Sequence, residues 1–143
     1  MQIFHRKLHQ GFTLIELMVV VAIIGVLMAA GILAFGNAQK SAKDAKRKSD
    51  LDAISKAEEQ YFQSNGAYVA TTSLTGYFPN GALPKDPSGS NYVVTLGGTT
   101  KFCACALLDR PTSANASNDG STGSGVCSYT TTTPTYHCVS QRQ

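Results

Sequence analysis

The chain has 143 residues, 15% of them charged, with four cysteines and a net charge of only +3. That length holds one folded domain beside a short anchor and leaves no room for two domains. The charge balance gives no electrostatic case for nucleic acid as a partner. In chain order, Met1–Gly11 is a short basic stretch carrying Arg6 and Lys7. His5 and His9 stand four apart, but no third ligand lies nearby, so no metal site is expected there.

Gly11-Phe12-Thr13-Leu14-Ile15-Glu16-Leu17 then opens an apolar stretch. From Leu17 to Phe35, nineteen residues carry no charge, amide or hydroxyl. As a helix that run spans about 28 Å, close to the thickness of a bilayer's hydrocarbon core. It is too long for the apolar core of a secretory signal, and no small-x-small cleavage site ends it. Glu16 stands at its mouth, where a carboxylate is costly in lipid unless a specific partner neutralises it.

This order of residues resembles the prepilin leader junction of type IV pilins and type II secretion pseudopilins. The resemblance implies that a prepilin peptidase cuts between Gly11 and Phe12 and that Phe12 is then N-methylated. It further implies that Glu16 serves filament assembly by pairing with the methylated amine of the adjacent subunit. A plain membrane anchor accounts for the length and the basic flank, but not for the order from Gly11 to Glu16. Loss of Met1–Gly11 leaves 132 residues with a charge near +1. Lys40, Lys43, Lys46, Arg47 and Lys48 follow the apolar run and partly oppose an orientation with the leader inside. The resemblance nevertheless implies leader inside and remainder outside.

The first helix is expected from Phe12 to Asn65, about 80 Å if continuous. Gly25 and Ala29 form a small-xxx-small pair suited to close helix approach in lipid. Gly25, Gly31 and Gly36 each cost about 1 kcal/mol of helix propensity. The family pattern usually has a proline near Leu33, absent here, so any local melting in a filament rests on glycine alone. Past the apolar run, Ala38, Ala42, Ala45, Ser49, Ala53, Ile54, Ala57 and Tyr61 mark a narrow buried stripe. Asp44, Arg47, Asp50 and Glu58 fall on the other faces, expected either in solvent or paired with neighbouring subunits in a filament, with Asp44–Lys48 and Asp52–Lys56 as ion pairs four apart. Asn65-Gly66 stops the helix.

Residues 66–91 read as a connecting loop with turns at Thr75-Gly76, Asn80-Gly81 and Asp86–Gly89. Tyr61-Phe62, Asn65–Tyr68, Leu83–Pro87 and Tyr92 resemble the segment after the helix in major pseudopilins. That group tends to bind calcium in its C-terminal loops; Asp109 and Asp119 alone make no compact acidic cluster, so no calcium site is carried over. Strand character follows at Tyr92–Leu96, Lys101–Leu108, Val126–Thr131 and Thr135–Ser140, with Gly97-Gly98 as a hairpin turn. In the second of these, Phe102, Ala104, Ala106 and Leu108 share one face, and Cys103, Cys105 and Leu107 the other. Residues 109–125 are polar and rich in Gly, Ser and Asn, an exposed loop.

All four cysteines lie in the last 41 residues, an even count that reads as disulfides in an exported domain. Cys103 and Cys105 leave one strand in the same direction, so the pairings expected join them to Cys127 and Cys138, in either of two ways. A four-cysteine zinc site is the rival, disfavoured by the ligand spacing and an oxidising compartment. His137 has no acid or nucleophile beside it in sequence, and no catalytic residue is expected. Asn115-Ala116-Ser117 matches a glycosylation sequon, and Thr130–Thr133 offers hydroxyls for O-linked sugar.

The expected class is α+β and pilin-like: a long N-terminal helix packed against an antiparallel sheet of three to four strands. The expected division is leader 1–11, a membrane and filament-core half-helix 12–36, and a soluble head 37–143. That head comprises helix 37–65, loop 66–91 and disulfide-bonded sheet 92–143. The resemblance implies a structural subunit without cofactor or metal, held by lipid in the inner membrane until assembly. Its implied partners are copies of itself, the prepilin peptidase, a platform protein and an assembly ATPase. A secretion pseudopilin is the alternative, and a membrane-anchored module for DNA uptake a third.

Overall fold

The computed structural model describes residues 11–119, 126–130 and 132–141, with the side chain of Leu33 excepted. The leader, with His5 and His9, thus lies outside the described residues apart from Gly11. The chain divides into two compact units, Met1–Ala38 and Gln39–Gln143.

One long helix, α1, runs Leu14–Asn65. It starts two residues later than the sequence suggests, because Thr13 caps it rather than joining it. Its end falls as expected: Gly66 takes φ 71° and its N–H returns to the Phe62 carbonyl at 2.7 Å. In the first unit, every described side chain from Gly11 to Ala38 is exposed.

The second unit sets α1 from Gln39 onward against a three-stranded antiparallel sheet, β1 (Val93–Leu96), β2 (Phe102–Leu107) and β3 (Tyr136–Ser140), ordered β1-β2-β3. Register pairs Val93 with Cys105 and Leu96 with Phe102 across β1 and β2. Cys105 faces Cys138 across β2 and β3. Gly98 at φ 71° turns the β1–β2 hairpin, closed by the Gly97 N–H on the Lys101 carbonyl at 2.9 Å. The expected strand Val126–Thr131 does not form. Among its described residues Tyr129 makes one bridge, to Ala116, and Thr131 lies outside the described residues. The pairing stops at that bridge, which the Thr130 N–H closes on the Asn115 carbonyl at 3.0 Å, while the Tyr129 hydroxyl bonds Ser140 Oγ.

The central strand is buried on both faces, as its alternation indicates. Phe102, Ala104 and Ala106 join Leu51, Ile54, Ala57, Tyr68, Leu74 and Tyr92 in the main core. Phe62, Tyr68 and Phe102 stack in sequence with ring centroids 4.6 and 4.9 Å apart. Within the connecting region a short 3-10 helix, Thr71–Tyr77, drops Leu74 fully into that core. On the other face, Cys103 and Cys105 form a second cluster with Ala116, Cys127 and Cys138.

The helix face is the main departure from the sequence reading. Ala38, Ala42, Ala45 and Ser49 are exposed, while Asp44, Arg47, Asp50, Ser55 and Glu58 are buried beside Leu51 and Ile54. A hydrophobicity count places charges in water. Here Asp44, Arg47 and Asp50 are paired, which lowers the penalty that such a count assumes, while Glu58 is buried without a cation.

Candidate functional site

One feature of the molecule asks for a partner, and two others hold the head together. At the start of α1, Thr13 and Glu16 cap each other. The Thr13 N–H donates to Glu16 Oε2 at 2.8 Å, the Thr13 hydroxyl donates to the same oxygen at 2.7 Å, and the Glu16 N–H donates to Thr13 Oγ1 at 3.3 Å. This is a capping box, the reciprocal satisfaction of helix-end donors by a Thr-x-x-Glu sequence. The signal was present in Thr13-Leu14-Ile15-Glu16 and the sequence reading missed it. The carboxylate's hydrogen bonds among the described residues fall on Oε2, and the residue is exposed.

Beyond the cap the helix is apolar all round and uncovered. Phe12 is 87% exposed, Ile15 70% and Val26 73%. Leu14–Asn65 contains one stretch long and apolar enough to cross a membrane by length and composition. A surface of this size cannot stay in water, so it lies in lipid or against other helices.

The second feature is the cysteine cluster. Cys103 is bonded to Cys127 and Cys105 to Cys138, closing separations of 24 and 33 residues. The four Sγ atoms lie within 4.8 Å of one another. Four thiolates so placed would suit zinc, but sulfurs already bonded to each other are not thiolates and offer no such ligands. Asn115 adds a further tie: its Nδ2 donates to the Cys138 carbonyl at 2.9 Å and its Oδ1 accepts the Cys138 N–H at 2.7 Å. The sequon's asparagine is thus spent inside the fold, which opposes its use as a sugar acceptor once the chain has folded.

The third feature is an ion network around Arg47. Its guanidinium meets Asp86 at 2.6 Å, Asp44 at 2.9 Å and Asp109 at 3.0 Å. Asp44 also accepts the backbone N–H groups of Asp109 and Arg110, each at 2.8 Å. One side chain therefore joins helix, connecting loop and the segment after β2. The hydrogen bonds Arg47 donates to Asp86 raise its pKa and outweigh its burial. Burial alone would raise Asp86, but Arg47 and Ser88 hold it at about 2. Asp86 was read as a turn residue; it does accept the Ser88 N–H at 2.8 Å, and it carries the network as well. Asp44 pairs three residues on with Arg47 rather than with Lys48, whose ammonium reaches Ser113 Oγ. Asp50 is also satisfied, by Lys46 at 2.5 Å and by the Tyr92 hydroxyl at 2.9 Å.

A long helix with an uncovered apolar half, capped at a Thr-x-x-Glu start and joined to a small α+β head, defines a membrane-anchored subunit of the pilin class. The comparisons with known proteins agree. The prokaryotic N-terminal methylation motif matches residues 6–32, a span that contains both Gly11 and Phe12. The chain is 38% identical to the type II secretion system core protein G of Pseudomonas aeruginosa over 113 residues, 66% of this chain and 78% of that one. Its Escherichia coli counterpart is 34% identical over 62% of this chain and 73% of its own. The type IV major pilin protein PilA of Myxococcus xanthus is 39% identical over 71 residues, half of this chain but only 32% of that pilin's length. No solved structure matches. The chain belongs to the type IV pilin and type II secretion pseudopilin family.

Proposed function

We propose that this chain is a structural, non-catalytic subunit of a type IV pilus-like filament, cleaved between Gly11 and Phe12, methylated on Phe12 and polymerised through α1. The observation that carries the reading is the uncovered apolar length of α1, which needs lipid before assembly and neighbouring helices after it. Glu16 fits the assembly role implied by the family: Thr13 occupies Oε2, and Oε1 can meet the amine of a neighbouring Phe12. Two ions that are each costly in lipid lower that cost by meeting. The inner membrane with the N-terminus inside, a prepilin peptidase, a platform protein and an assembly ATPase complete the proposal. On this reading the leader is 1–11, the anchoring half-helix 12–36 and the head 37–143, stapled by its two disulfides.

A second reading, a secretion pseudopilin, is favoured by the fuller coverage of the core protein G relatives. Intact mass of the protein sheared from cells, beside that left in the envelope, separates the two. A sheared species lacking Met1–Gly11, one methyl heavier and without free thiols supports the pilus subunit. The processed form confined to the envelope supports the pseudopilin. An uncut chain in both fractions overturns the processing itself.

A further inference from the structure

Lys48 on α1 and Arg110 after β2 converge on a pocket of about 230 Å³, lined also by Ser41, Ala45, Thr112 and Ser113. The Arg110 guanidinium donates to Ser41 Oγ at 2.6 Å, and the Lys48 ammonium to Ser113 Oγ. Neither cation has a carboxylate partner among the described residues. Asp44 also borders the pocket, but its oxygens are taken by Arg47 and by the N–H groups of Asp109 and Arg110. His137 stands close by; burial and the charge of Lys48 lower its pKa, against opposing effects of Ser113 and Asp52. The Arg47 network thus draws acids inward at this end of the head and leaves two cations resting on neutral hydroxyls. A cation and hydroxyls on converging elements match the charge and the acceptor oxygens of a phosphate, which Arg can meet with two parallel N–H groups. The pocket is too small for a drug-sized ligand and large enough for a polar headgroup. Ser41 follows Phe35, the last residue of the apolar run, by six residues, under two turns of helix.

We propose that the pocket between Ser41, Lys48, Arg110 and Ser113 binds the phosphate of an anionic phospholipid headgroup while the subunit is stored in the membrane. This rests on the reading that the apolar run of α1 lies in lipid. It also gives Lys48, one of the basic residues past that run that oppose the orientation of the anchor, a favourable use.

The test uses the full chain in neutral-detergent micelles, titrated with short-chain phosphatidylglycerol while amide chemical shifts are followed. Saturable shifts at Ser41, Lys48, Arg110 and Ser113 are expected. Lys48→Gln and Arg110→Gln should each weaken binding about five-fold, a cation's usual worth at an anionic surface, while Lys43→Gln leaves it unchanged. Equal binding of soluble glycerophosphate overturns the lipid source. An oligodeoxynucleotide that displaces the lipid also overturns it, as do shifts that spread over Lys40 and Lys43 without saturation. Co-elution with micelles checks the anchor separately, so a chain that inserts but shows no headgroup shifts defeats the pocket alone.

Discussion

Up to Ala38 every described side chain is exposed, and the side-chain hydrogen bonds found there are those between Thr13 and Glu16. From Gln39 onward the chain is tied by two disulfides, an aromatic stack and a guanidinium that gathers three carboxylates. The first unit has local order and an apolar surface that only something outside the chain can satisfy. The second satisfies most of its own groups, even to the extent of burying charge, with Glu58 Oε1 and His137 Nδ1 as exceptions among the described residues. The difference separates two tasks, joining copies and presenting a head, and predicts that each unit can be damaged without the other.

Arg47→Met should have the largest effect on the head. It leaves Asp44, Asp86 and Asp109 converging without their cation, and breaking a buried pair by removing one partner costs about 3–5 kcal/mol. Denaturant unfolding of the full chain in neutral micelles, followed by the tyrosine near-UV signal, should show that loss. Extraction of membranes at alkaline pH should show the anchor unchanged. A loss below about 1 kcal/mol, typical of a solvated surface pair, would mean the network is open to water. A variant released from the membrane would break the comparison itself.

What the sequence made legible divides along the same line. The apolar run, the helix end at Gly66, the turn at Gly98 and the two faces of β2 depend on neighbours close in sequence, and periodicity reports them. The burial of Asp44, Arg47 and Asp50 depends on Asp86, Asp109 and Tyr92, each 36 or more residues away, and no local count of charge contains them. The expected strand at Val126–Thr131 has local strand character too, but among its described residues the pairing is the one bridge from Tyr129 to Ala116, a distant partner that no local pattern contains. Only the capping box was within reach of local reading and passed over, because Glu16 was weighed as an acid in lipid rather than as the third residue of a helix.

A smaller effect should come from Glu58. Its side chain is fully buried; Oε2 accepts the Val69 N–H at 3.2 Å and Oε1 has no partner among the described residues. Burial, with the nearby charge of Glu59, raises its pKa from 4.5 to about 7, against the hydrogen bond from Val69. Burial also raises the Tyr68 pKa, to about 12, with its hydrogen bond to Glu59 and the Glu59 charge adding to it. A carboxyl whose pKa is raised by folding favours the folded state most when protonated. Its contribution is full below about pH 4.5 and is lost as pH rises through about 7, on the order of 3 kcal/mol in all. Asp86 works the other way, supporting the fold above its unfolded pKa of 3.8 and losing that support as pH falls toward 2. The head should therefore be most stable at mildly acidic pH. Unfolding curves between about pH 2 and 9 should decline between about pH 4.5 and 7, and Glu58→Gln should flatten that decline while leaving the loss below pH 3.8 in place. An unchanged slope in the variant would assign the decline to another group.

The smallest effect tests the first unit on its own terms. Thr13→Val removes the hydroxyl that donates to Glu16 and accepts its N–H, at a cost of about 1 kcal/mol for a lost cap. In a folded head such a loss is shared among many contacts; here every described side chain around it is exposed. It should appear as faster amide exchange at Glu16 and Leu17 in micelles, with the exchange of β2 and the unfolding midpoint of the head unaltered. Glu16→Gln keeps an acceptor for the Thr13 N–H, so it should fray the helix start less while removing the charge proposed to bind a neighbour's amine. Frayed but polymerising Thr13→Val beside ordered but non-polymerising Glu16→Gln would divide the carboxylate's two tasks between shape and charge. If both variants polymerise, the partner that Oε1 awaits is not an amine.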